Sequence, residues 1–183
     1  MYSRDPPTKV LYCYGIYSSM YDTIDKELPM VELHEGLPTR NEIEEFANGE
    51  HRLIILDDLM QQILDSKEIE RLATQGCHHM KLSLMFLTQN MYGQGKTART
   101  IALNCWYTVL FRNLRGTSQV AFLGQQLFPK RSHLLLQAYN DATESPFGYL
   151  VLDFSPSLEN DKYRFRTNVF PGEDVVVYFP KIT

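Results

Sequence analysis

The sequence predicts an α/β fold built on a mainly parallel sheet with helices on both faces, and three observations predict it. Leu53-Ile54-Ile55-Leu56, residues 82–87 and residues 106–111 are continuous apolar runs, not alternating ones. Strands that are apolar on both sides belong to sheets covered on both sides. Helical stretches lie between these runs, which is the arrangement that lets successive strands run in one direction. Each run also stops abruptly at polar residues, Asp57-Asp58, Thr88-Gln89-Asn90 and Arg112-Asn113.

The elements follow in order. Lys9-Val10-Leu11-Tyr12-Cys13-Tyr14 comes after Pro6-Pro7 and is closed by Gly15, as a short buried strand should be. Residues 17–28 read as a helix stopped by Pro29, and residues 30–34 as an extended segment before Gly36-Leu37-Pro38. Thr39-Arg40-Asn41-Glu42 spells a capping box, in which the Thr hydroxyl and the Glu carboxylate satisfy orphan amides. That helix runs to about Ala47 and stops at Asn48-Gly49. After the strand at 53–56 a helix is expected over 67–75, capped by Asp65 or Ser66 and ended by Gly76. A polar loop containing glycine is expected over 91–99, beyond the strand at 82–87. Helices near 118–127 and 132–142 follow the strand at 106–111, and residues 149–153 and 175–179 read as extended. The length of 183 residues fits one domain, in which residues from about 154 either extend the sheet or form a small appendage.

Composition narrows the function classes. A net charge of −4 argues against a surface that grips nucleic acid throughout, and leaves room for a local basic patch. No apolar run approaches the ~20 residues that span a bilayer, so no membrane partner is expected. Residues 1–9 are polar, with Asp5 and paired prolines, unlike a secretion signal. The 3 cysteines are odd in number and widely spaced, which suits a reducing, intracellular setting. Cys77-His78-His79 has no second ligand pair at metal-site spacing.

In an open α/β sheet ligands gather at the carboxyl ends of the strands, so Asp57, Asp58, Gln89, Asn90, Arg112, Asn113 and Asp153 are the residues that matter. An acid just past a strand can hold magnesium, and a second beside it can orient and deprotonate water. An amide can position that water against a terminal phosphate, and an arginine can stabilise the transferring group. Gly93-Gln94-Gly95-Lys96-Thr97 has the tail of a phosphate-binding loop. The first glycine of G-x-x-x-x-G-K-[ST] would fall on Asn90, and the stretch comes after the acidic strand instead of preceding it. It reads as a glycine loop carrying Lys96 and Arg99.

Taken in order, these motifs resemble a known family. Leu53-Ile54-Ile55-Leu56-Asp57-Asp58 resembles a Walker B strand, and Phe86-Leu87-Thr88-Gln89-Asn90 a sensor strand. The segment from Ala98-Arg99-Thr100 through Leu110-Phe111-Arg112-Asn113, then residues 119–129, is similar to the region beyond the sensor strand in one family. That family is the FtsK/HerA-type genome-packaging ATPases of large double-stranded DNA viruses and Polinton (Maverick) transposons. The similarity spans roughly residues 9–153. It implies a P-loop NTPase core of RecA/FtsK type, incomplete at its N-terminus, because that family's Walker A strand and loop lie just before the strand beginning at Lys9. It also implies ATP and Mg2+ as cofactors, a homo-oligomeric ring, translocation of double-stranded DNA, and capsid or portal partners. The implied location is intracellular: host nucleus, viral factory or virion.

By position, the resemblance makes Asp57 the magnesium ligand through water, Asp58 the catalytic acid and Gln89, with Asn90, the γ-phosphate sensor. Arg99, Arg112 and Arg115 are the alternatives for an arginine finger. The family more often has glutamate where Asp58 stands, one methylene longer. Without a Walker A lysine the chain as it stands should bind ATP poorly. It is then either a fragment or a decayed copy that serves as a nucleotide-free interaction module. A weaker alternative is a metal-dependent nuclease using Asp57, Asp58 and Asp153.

Overall fold

The computed structural model describes residues 6–90, 96–156 and 161–179. The chain divides into two compact units, Met1–Asn104 and Cys105–Thr183.

The first unit runs β1 (Lys9–Tyr14), α1 (Met20–Glu27), β2 (Val31–Glu35), α2 (Arg40–Phe46), β3 (Arg52–Asp57), α3 (Met60–Asp65), α4 (Lys67–Arg71), a π-helical turn (Leu72–Gly76), α5 (Cys77–Met80), β4 (Leu82–Leu87) and α6 (Lys96–Asn104). The four strands form an all-parallel sheet in the order β2-β1-β3-β4. The apolar run at 53–56 is why β3 sits inside this sheet: Ile54 and Leu56 have no exposed surface.

In-register neighbours share a face, and successive residues alternate between faces. Tyr12 pairs with Ile55 and Ile55 with Met85, while Tyr14 pairs with Asp57 and Asp57 with Leu87. These six therefore share one face; Cys13, Arg52, Ile54 and Leu56 lie on the other. Helix α2 covers the second face, where the Arg52 guanidinium stacks over Phe46 at 5.0 Å and donates to its carbonyl oxygen. Helix α1 covers the first face over β1, with the Tyr21 ring 5.5 Å from that of Tyr12. Over β3 and β4 no described helix of this unit covers this face, and Met85 is 45% and Leu87 39% exposed.

The capping box forms as spelled: Thr39 accepts from the Glu42 amide, and the Glu42 carboxylate accepts from the Thr39 amide at 2.7 Å. Ser66 caps α4, accepting from the Ile69 amide at 3.2 Å. Gly76 does not end the helix as expected. It is helical itself, and the helix continues to Met80 before Lys81 ends it in a left-handed conformation, φ 53°. A Cβ on Gly76 would lie 2.9 Å from Leu72 Cδ1 and 3.0 Å from Met80 Cε, so this glycine serves close packing. Of the loop expected over 91–99, residues 96–99 are helical and belong to α6. Residues 91–95, with Gly93, Gln94 and Gly95 among them, lie outside the described residues.

The second unit runs β5 (Tyr107–Phe111), α7 (Thr117–Leu127), α8 (His133–Ala142), β6 (Tyr149–Asp153), a 3₁₀ turn (Asp161–Tyr163), β7 (Phe165–Thr167) and β8 (Val176–Tyr178). Here the expected parallel sheet needs correction: β5-β6-β7-β8 is a separate, antiparallel sheet. An apolar run shows that a strand can be buried and carries no information on direction. In β5 the run is not even buried on both faces, since Tyr107, Val109 and Phe111 are exposed while Leu110 is buried. The core of this unit gathers Leu135, Leu150 and Leu152, all essentially without exposed surface. Among the described residues no helix is long and apolar enough to cross a membrane.

Candidate functional site

Parallel pairing brings the carboxyl ends of β1, β3 and β4 to one edge of the first unit. Asp57 is the last residue of β3, in register with Tyr14 on one side and Leu87 on the other. Asp58 comes next with φ 52°, a conformation uncommon outside glycine. Its amide donates to the Leu87 carbonyl at 3.3 Å, which ties the end of β3 to the end of β4. The approach is close from the other side too: a Cβ on Gly15 would lie 3.2 Å from the Asp58 carbonyl oxygen. Asp58 is exposed and Asp57 half-buried.

Thr88, Gln89 and Asn90 leave β4 at the same edge, exposed. The Thr88 hydroxyl donates to the Asn90 carbonyl at 3.0 Å and accepts from the Asn90 amide at 3.2 Å, so the turn carrying Gln89 is closed locally. Asp57, Asp58, Gln89 and Asn90 are thus brought to one sheet edge.

Two residues of this edge were not singled out from the sequence. The hydroxyls of Tyr12 and Tyr21 both donate to Oδ2 of Asp57, at 2.7 Å and 3.2 Å. The Tyr21 ring stacks on Tyr14 at 4.6 Å and meets Tyr17 edge-on at 5.9 Å. Burial, and then the Asp57 carboxylate, pushes both phenols above their ordinary pKa, so they remain protonated donors. The signal was present in the run of tyrosines at 12, 14, 17 and 21, but strand aromatics read first as core.

The donor set is one of hard oxygens. Among the described residues no three or more of His, Cys, Asp and Glu are grouped to hold a metal ion. A site with one or two carboxylates fits magnesium, which keeps several waters and takes further oxygens from phosphates. The thiols fit no such role. Burial raises Cys13 to about 12 and Cys77 to about 11, so neither offers a thiolate near neutral pH.

The other sequence-derived residues are distributed between the units. Arg99 is exposed on α6 of the first unit. Arg112 and Arg115 belong to the second unit, where the Arg112 guanidinium donates to the Glu144 carbonyl at 3.2 Å. Asn113 is a turn residue there: its Oδ1 accepts from the amides of Arg115 and Gly116, each at 3.0 Å. Arg112, Asn113, Thr117, Tyr139 and Glu144 border a cleft of about 380 Å³.

Asp153 does not join a metal site. It is 1% exposed and paired with Arg166 at 2.7 Å, and its other oxygen accepts from the Ser155 hydroxyl at 2.6 Å. A buried carboxylate already neutralised in this way holds its own sheet together, which removes the third acid from the nuclease alternative. No protein-family model, curated protein or solved structure matches this chain.

Proposed function

We propose that this chain is the carboxy-terminal part of an ATP-driven motor that translocates double-stranded DNA, with its hydrolysis and sensing residues in place. The observation that carries the reading is the placement of Asp57-Asp58 and Thr88-Gln89-Asn90 at the same end of two adjacent parallel strands. In that arrangement Asp58 activates water, Gln89 holds it toward the terminal phosphate, and Asp57 faces the hydrated cation. Magnesium, when bound with the nucleotide, neutralises phosphate charge at this edge. The motor acts as a homo-oligomeric ring, in which Arg99, Arg112 or Arg115 reaches the transferring phosphate, and its partners are DNA and a capsid or portal.

The open face adds support by a topological argument. The chain passes from β1 to β2 through α1 on the Tyr12 face, and from β2 to β3 through α2 on the opposite face. Crossovers between parallel strands keep one hand. By that hand, a strand added at the open edge of β4 and leading by a helix into β1 would lay the helix on the Tyr12 face, over Met85 and Leu87. Parallel sheets are covered on both faces. A strand–loop–helix unit encoded upstream would occupy that edge and that face, and bring its loop to Asp57.

The test compares residues 1–183 with the gene product that includes the upstream residues. Calorimetry should give no binding of Mg–ATP to the first, and the second should bind and hydrolyse ATP. An upstream sequence without G-x-x-x-x-G-K-[ST], and a long product without ATP binding, would replace the motor by a nucleotide-free interaction module. Micromolar affinity in residues 1–183 would instead assign phosphate binding to residues 93–97.

A further inference from the structure

We propose that Tyr12 and Tyr21 are positioning residues for Asp57: their paired hydroxyls commit one carboxylate oxygen, Oδ2, and turn the other toward a hydrated divalent cation. This rests on the reading of Asp57 as the cation-facing acid. The carboxylate is fixed from two elements at once, by Tyr12 from β1 at 2.7 Å and by Tyr21 from α1 at 3.2 Å. Tyr12 pairs with Ile55, so its hydroxyl reaches forward along the strand to Asp57. Tyr21 is held in turn by stacking on Tyr14 at 4.6 Å, by the Tyr12 ring at 5.5 Å and by the edge of Tyr17 at 5.9 Å. Tyr17 donates to Asp22 on α1, so the ring layer is anchored beyond the site.

The rings alone are enough to seat α1 on the sheet. Two O–H donors on one carboxylate oxygen do something more, because they fix the plane of the carboxylate. A carboxylate that meets a cation through water needs that plane fixed, since each water in the shell is placed by an oxygen direction. Hydrogen-bond partners behind a metal-facing ligand typically sustain ~10–100-fold in metal affinity or activity.

Tyrosine-to-phenylalanine changes keep the rings and delete only the hydroxyls. The full-length gene product is titrated with Mn2+ in the presence of ADP, and free Mn2+ is followed by electron paramagnetic resonance. The protein and its Tyr12→Phe/Tyr21→Phe and Asp57→Asn variants are compared, with thermal melting run on each. The double phenylalanine variant should bind Mn2+ about 10-fold more weakly while still unfolding in one cooperative transition, and Asp57→Asn should lose the Mn2+–ADP signal. Loss in Asp57→Asn with unchanged affinity in the double variant would overturn the positioning role and leave the cation-facing role of Asp57 standing. Unchanged affinity in Asp57→Asn, or no Mn2+–ADP binding by the unsubstituted protein, would overturn that reading and the positioning role with it.

Discussion

Tyr12 on β1 and Asp57 at the end of β3 are joined side chain to side chain across neighbouring parallel strands, hydroxyl to Oδ2 at 2.7 Å. The contact connects the sheet's packing to the edge where its acids gather. The same phenol is held above its ordinary pKa by burial and then by the adjacent carboxylate. Such a group stabilises the fold fully below its unfolded pKa of about 10. The contribution disappears as pH climbs from there toward the folded value.

The first prediction comes from that sign. The urea midpoint should fall as pH rises above about 10, and Tyr12→Phe should flatten part of the decline. Tyr178, donating to Asp141 at 2.6 Å and also raised, supplies a further part. An unchanged alkaline slope in Tyr12→Phe would show that the phenol titrates alike in the folded and unfolded chain.

A second prediction concerns acid. Glu42 accepts from the amide and the hydroxyl of Thr39, each at 2.7 Å, and these bonds chiefly hold its carboxyl down at about 2. A lowered carboxyl contributes stability above its unfolded pKa, and the contribution is lost as pH falls toward the folded value. The capping box should therefore weaken between about pH 4.5 and about pH 2. Thr39→Ala should lower stability at neutral pH and reduce the slope in that window, as read from circular dichroism melts across pH.

Third, Arg166→Met should leave Asp153 buried without its partner, at a cost of about 3–5 kcal/mol. The chain's 1 tryptophan, Trp106, lies in the same unit, so its fluorescence should report early unfolding there. A variant as stable as the parent would mean that the Ser155 hydroxyl and amide suffice to hold the carboxylate.

Much of the first unit was legible in the sequence because its signals are local. Thr39 and Glu42 define a helix start by themselves, and the runs at 53–56 and 82–87 form neighbouring parallel strands whose ends carry the acids and amides, although only the first is buried along its run. Direction was not legible at β5 and β6, since an apolar run looks the same in parallel and antiparallel ladders. Gly76 misled because a glycine in a helix can serve packing as well as termination, and only the nearness of Leu72 and Met80 separates the two. Tyr12 and Tyr21 escaped for a related reason: their bonds to Asp57 join residues 45 and 36 positions apart. Asp153 looked like a site acid for want of its partner Arg166, which sits on a strand too short to stand out by pattern.

In the proposed motor, Asp58 activates water beside a cation-facing Asp57. This is tested most directly by steady-state ATP hydrolysis of the full-length gene product and its Asp58→Asn variant, with nucleotide binding measured alongside. Turnover should be abolished while ATP affinity stays within about 3-fold of the parent, under 1 kcal/mol. Normal turnover in Asp58→Asn would take water activation away from Asp58.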